Sequence, residues 1–222
     1  MHAVKVYGST WLSKQNLKTR LTQRKTYIAL AVLLATIAYW RWLPTPLFNE
    51  PFANILLSRQ GELLAAHIAD DQQWRFPETD QVPDKFRHAI IAFEDQRFAN
   101  HLGFDPLAFA RALYLNLKQQ RIVSGGSTIT MQVMRLARHN PPRTLWEKIK
   151  EIALAIRLEL SYSKQEILGL YASHAPFGGN VVGLQAAAWR YYGRSAEQLS
   201  WAEAATLAVL PNNPGLIHPG RH

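Results

Sequence analysis

The sequence predicts a mainly α protein: a helical body preceded by one N-terminal transmembrane helix and a short β-hairpin. Three observations carry this. Apolar residues recur at helical spacing in window after window from Pro83 onward. An apolar run near the N-terminus follows a basic segment. Cysteine is absent, so no disulfide framework, thiolate metal site or cysteine nucleophile exists to organise the chain. At 222 residues there is room for one sizeable domain and an extension.

The formal charge of +9 suggests a nucleic-acid partner, but its distribution argues against one. Seven basic residues (Lys5, Lys14, Lys18, Arg20, Arg24, Lys25 and Arg41) precede the first acid, Glu50, leaving +2 for everything after. Residues 1–25 therefore read as a basic cytoplasmic tail, and 26–43 as a transmembrane anchor. Tyr27 to Trp40 is apolar apart from Thr36, short of the roughly 20 residues a span wants. Counting to Leu43, with Arg41 reaching the far headgroups, closes the gap. Tyr27, Tyr39, Trp40 and Trp42 suit an interfacial aromatic belt. Bulky aromatics follow the run where a signal peptide would have a small-residue cleavage site. The positive-inside rule puts the N-terminus in the cytoplasm and the remainder outside, in the periplasm of a Gram-negative cell.

Pro44, Pro46 and Pro51 punctuate a linker, 44–53. "NILLSRQGELLAAHI" is a candidate hairpin turning at Gly61. Helices follow in "DKFRHAIIAFEDQRF", in "PLAFARALYLNLKQQ" from Asp105-Pro106, in "STITMQVMRLARH" opened by Ser127, and in "RTLWEKIKEIALAIRLEL". "SKQEILGLYASHA" opens with a capping box, Ser163 with Glu166. "GLQAAAWRYYG" and "SWAEAATLAVL" complete the body, 54–215. The closing "PNNPGLIHPGRH" ends abruptly, with 216–222 reading as the start of a truncated extension.

Three clusters carry candidate chemistry. Glu94, helical with Ile90, Ile91 and Phe98 on its face, is an acid against apolar surface, which raises a carboxyl pKa and suits a general base. Asp95 points elsewhere, to pair with a cation or cap the next turn. The alternative is an exposed helix end paired with Arg97. "SGGSTITMQ", Ser124 to Gln132, places glycines and hydroxyls at a helix start, where anions bind; the alternative is an ordinary N-cap at Ser127. Arg135, Arg138, Arg143, Lys148 and Lys150 surround Glu151, a set able to hold a pyrophosphate or, alternatively, a solvated face of ion pairs. "SYSK", with Ser161 and Lys164, lacks the companion motifs of serine acyl-transferases and reads as structural.

In this order the clusters resemble the peptidoglycan glycosyltransferases, glycosyltransferase family 51. "EDQRFANHLG" looks like their E-D-x-x-F-x-x-H-x-G motif, "GGSTITMQ" their G-G-S-T-[IL]-[ST]-x-Q, and "EKIKE" stands where R-K-x-x-E does. "YASHAPFGG" resembles Y-x-N-x-x-x-F-G. The "APFGG" run and Met131 are most similar to the 1C type of class A penicillin-binding protein.

The resemblance implies a lysozyme-like helical lobe with a smaller membrane-associated lobe around Phe104, Leu107, Phe109, Leu113 and Tyr114. It implies polymerisation of lipid II, with Glu94 as general base and Glu151 as second catalytic acid. Asp95, Phe98, His101, Gly103, Gly125, Gly126, Ser127, Thr128, Gln132, Arg135 and Lys148 fall on its substrate-binding positions. It implies Mg²⁺ or another divalent cation, with Asp95 the candidate ligand, and as partners lipid II, the growing glycan strand, the membrane and other wall-synthesis proteins. Glu147 replaces the family's arginine, Ser173 its asparagine and Met131 its commoner glutamine. Class A proteins continue into a transpeptidase domain, and this chain is expected to lack one. A lysozyme-like muramidase and a non-catalytic scaffold are the competing readings.

Overall fold

The computed structural model describes residues 7–79, 81–121, 123 and 125–212, with side chains in the first helix from residue 23 onward. Two units divide at Pro44. The first is helix α1, Tyr7–Trp40. Its side chains from Tyr27 to Trp40 are almost all exposed, including Ile28, Leu33, Leu34 and Ile37. The helix stops at Trp40, and Arg41–Leu43 form a turn rather than extending it. The apolar part of α1 is thus about 21 Å long at the helical rise, against about 30 Å of hydrocarbon. No helix among the described residues is long and apolar enough to cross a membrane.

The second unit begins with the expected hairpin. β1, Asn54–Leu57, pairs antiparallel with β2, Leu63–His67, around Gly61, whose φ of +83° suits glycine alone among common residues. A two-residue strand, β3 (Trp74–Arg75), pairs in parallel with β4 (Val181–Val182). This ladder has no sequence signature, because two residues carry no alternation.

Among the described residues, seven α-helices build the body. α2, Asp84–Glu94, buries Phe86 and Ile90, one turn apart, against α8, Trp201–Val209. α3, Pro106–Gln119, starts where Asp105 caps the N–H groups of Leu107 and Ala108. Its outer face is apolar: Leu107, Leu113, Tyr114 and Leu117 are exposed. α4, Ile129–Ala137, buries Ile129, Met131, Val133 and Met134, and packs on α5, Leu145–Glu159, and α6, Lys164–His174. A helix wrapped in apolar side chains belongs at a core, and α4 is the centre of this one. α7, Leu184–Tyr192, ends at Gly193 in the left-handed region.

Capping boxes open α6 (Ser163 with Glu166) and α8 (Ser200 with Glu203). Ser161 accepts from Arg157, and Lys164 donates to Glu159 and the His101 carbonyl, so both are structural, as expected.

Candidate active site

Glu94 is the last residue of α2. Helix α2 does not run on to Phe98: Asp95 has already left helical geometry, at φ −157° and ψ 71°, so Glu94 and Phe98 are not helical neighbours. Phe98 lies in a short 3₁₀ turn and is buried in the core. The Glu94 carboxylate is half-buried and accepts from Gln132 Nε2 at 2.8 Å and Asn212 Nδ2 at 2.7 Å. Burial pushes its pKa up, the Gln132 hydrogen bond pulls it down, and the neighbouring charge of Asp95 adds to the rise. A carboxylate at a helix C-terminus gains nothing from the dipole there. Arg97 does not pair with this acid: it forks onto Asp105, and its guanidinium holds that carboxyl down at about 2.

Asp95 is a bolt. Its buried oxygens accept from His101 Nε2 at 3.0 Å and from the Ile129 N–H, the first of α4, at 3.1 Å. That reach across 34 residues draws the chain out of α2 and moves the N-cap of α4 one residue along. Thr128, not Ser127, caps it, accepting from Met131 N–H while its own hydroxyl donates to the Gly103 carbonyl. Gly103 has φ +80°, and a Cβ there would lie 2.5 Å from the Ala155 carbonyl carbon. His101, Gly103 and Thr128 therefore join the Glu94 segment to α4 and α5.

Glu151, on α5, is 3% exposed. It accepts from Arg135 Nη1 at 2.8 Å and from Lys148 Nζ at 3.3 Å. Lys148 also donates to Ser127 Oγ, the hydroxyl that the cap did not use. Burial lowers the Lys148 pKa, the Glu151 charge opposes that, and Arg135 and Arg143 add to the lowering. One helix thus steadies both acids: Gln132 and Arg135, a turn apart on α4, reach Glu94 and Glu151. Glu147, where the resemblance leads one to expect arginine, is paired with Lys150 at 2.6 Å and with Arg138, and both cations lower its pKa. Its charge is neutralised locally.

A cavity of about 180 Å³ beside Glu94 is lined by Gly125, Gly126, Ser127 and Thr128, with Arg97 and Arg111. Gly126 packs on Phe109 of α3, where a Cβ would meet the Phe109 Cα at 3.0 Å. Ser124 lies outside the described residues, as does 216–222. Sequence reasoning missed Asn212, Arg111 and Tyr171. The Tyr171 hydroxyl is buried without a hydrogen-bond partner among the described residues, and burial, then the nearby Glu94 charge, raises its pKa. Only its place beside Ser173 in the fourth motif hinted at it.

Both oxygens of Asp95, the candidate metal ligand, accept hydrogen bonds within the protein, from His101 and the Ile129 N–H. No group of three or more metal-ligating side chains occurs among the described residues.

A family model described as transglycosylase matches residues 60–222. The chain is 41% identical to penicillin-binding protein 1C of Escherichia coli over 207 residues, 90% of this chain and 27% of that protein. It is 32% identical to a biosynthetic peptidoglycan transglycosylase of Nitrosomonas eutropha, covering 93% of this chain and 81% of that one. A protein of the same name from Pasteurella multocida is 36% identical over 86% of this chain and 77% of its own length. The chain spans between 19% and 27% of the length of the penicillin-binding proteins it matches.

Proposed function

The chain belongs to the transglycosylase family, and on that premise we propose that it polymerises lipid II into peptidoglycan glycan strands. The observation that carries this reading is the pair of acids steadied from α4. Glu94 is half-buried with a raised pKa, and Glu151 sits among cations. Glu94 takes the proton of the acceptor GlcNAc 4-hydroxyl. The freed oxygen attacks the anomeric carbon of the donor MurNAc, and the bond from that carbon to the pyrophosphate oxygen breaks. Undecaprenyl pyrophosphate leaves with the electron pair, the centre inverts, and Glu94 returns its proton to solvent.

Lys148 and Arg135 supply positive charge where the pyrophosphate departs. Glu151 holds both in place and lowers the cost of keeping two cations together before substrate arrives. The Gly125-Gly126-Ser127 segment lines the cavity that receives a sugar beside the base. The described residues group no three metal-ligating side chains into a cage for a divalent cation, and no step is assigned to one. Such a cation would enter with the substrate's phosphates.

The same reading makes α1 an anchor with its basic end in the cytoplasm and the body in the periplasm. The exposed apolar side chains of Tyr27–Trp40 support it, with Arg41–Leu43 and local bilayer thinning covering the remaining length. The exposed face of α3 is the membrane-associated lobe. The cations around Glu151 favour a lipid-pyrophosphate donor over a muramidase's neutral glycan. Detergent-solubilised protein incubated with labelled lipid II tests the reading: a glycan ladder from the wild type and none from Glu94→Gln is expected. Shortening of pre-formed glycan, with no ladder, would sink it.

A further inference from the structure

We propose that the first turn of α5 is a second membrane-inserting wedge, which sets the depth of the pyrophosphate site in an anionic bilayer. The inference rests on the lipid-donor reading and goes beyond the α3 face. Thr144 caps α5 by accepting from the Glu147 N–H, so Leu145 and Trp146 project from the very start of the helix. Leu145, Trp146 and Ile149 are 87%, 64% and 57% exposed. A single exposed leucine needs no explanation, but a tryptophan flanked by two large aliphatics is a patch to be covered.

Charge identifies the cover. Between Arg135 and Glu151 five basic side chains stand against two acids, and both acids are already paired within the protein. Arg143 is exposed beside the patch, and the Lys150 ammonium lies over the Trp146 ring at 5.6 Å from its centre. An apolar tip with an indole, with Arg143 and the Lys150 ammonium beside it, matches a bilayer interface of anionic phospholipid: apolar side chains in the acyl boundary, the cationic groups among the phosphates. Lys148, two residues from Trp146, touches Ser127 and Glu151. Immersing the wedge therefore holds the phosphate-handling lysine within about one helical turn of headgroup level, about 5 Å, where a lipid-linked pyrophosphate resides.

The chain has no cysteine, so one introduced cysteine carries one nitroxide label. The full chain is reconstituted in phosphatidylglycerol-containing vesicles with the label at Trp146→Cys, at Ile149→Cys as a second probe, and at Arg59→Cys on the exposed hairpin turn as aqueous reference. Both wedge labels are expected to collide freely with oxygen and to be shielded from a water-soluble nickel chelate, with the reverse at residue 59. Wedge labels as open to the chelate as residue 59 would overturn the proposal. In phosphatidylcholine alone, shielding should weaken; equal shielding would overturn the part given to the cations. The depth readout needs no turnover, so it stands apart from any failure of the polymerase assay.

Discussion

Replacing Asp95 separates a bolt from a ligand. In Asp95→Ala, two buried donors lose their acceptor: His101 Nε2, now 3.0 Å from it, and the Ile129 N–H, at 3.1 Å. Each stranded donor costs about 1–3 kcal/mol, so the body loses about 2–6 kcal/mol. At about 2–4 °C per kcal/mol for a chain of this size, the melting midpoint falls by about 4–24 °C. Asp95→Asn keeps one acceptor oxygen and turns an amide toward the other donor, so its loss is smaller but of the same sign. Thermal unfolding followed by near-ultraviolet circular dichroism in detergent reads the shift, and the glycan ladder is run on the same samples. Activity falls with stability, because the start of α4 also positions Gln132 and Arg135. A midpoint within about 2 °C of wild type, with activity lost but restored by added Mg²⁺, would refute the bolt and make Asp95 a metal ligand.

Burial raises the Glu94 pKa above 4.5, so the base is lost as pH falls through that raised value, and the acid limb of the rate profile lies above pH 4.5. Gln132→Met removes the hydrogen bond that pulls the value down and should move the limb further upward; a downward move would contradict the geometry. Asp105 is held at about 2 against 3.8 in the unfolded chain, so its pair with Arg97 stabilises fully above 3.8 and that contribution is lost as pH falls through about 2. Asp105→Asn should accordingly flatten the acid-unfolding curve between those values. Gly103→Ala forces a Cβ to within 2.5 Å of α5 backbone at positive φ and should cost about 2 kcal/mol or more in urea unfolding. Glu147→Arg removes the acid that occupies Lys150 and Arg138, and should tighten inhibition by inorganic pyrophosphate in the ladder assay.

Why were some of these features legible in the sequence and others not? The capping box at Ser163 was readable because donor and acceptor lie three residues apart, and the box at Ser200 has the same spacing but went unread. The helices were readable because apolar spacing is local, and so was the hairpin at Gly61. The end of α2 was not. Nothing near Asp95 says that its carboxylate prefers an N–H 34 residues away to another helical turn. The same bond decides which of two adjacent hydroxyls, Ser127 or Thr128, caps α4, and so frees Ser127 for Lys148.

Glu147 makes the converse case. As a sequence letter it reverses a charge beside the leaving group. In the fold it is held between Arg138 and Lys150, and the acid that faces Lys148 and Arg135 is Glu151. Its effect on substrate must then be indirect, through the two cations it occupies. A site of this kind is assembled from the spare hydrogen-bonding capacity that long-range packing leaves behind. Residue types announce the chemistry available, while the order in which buried donors find acceptors decides which side chains remain free to meet a substrate.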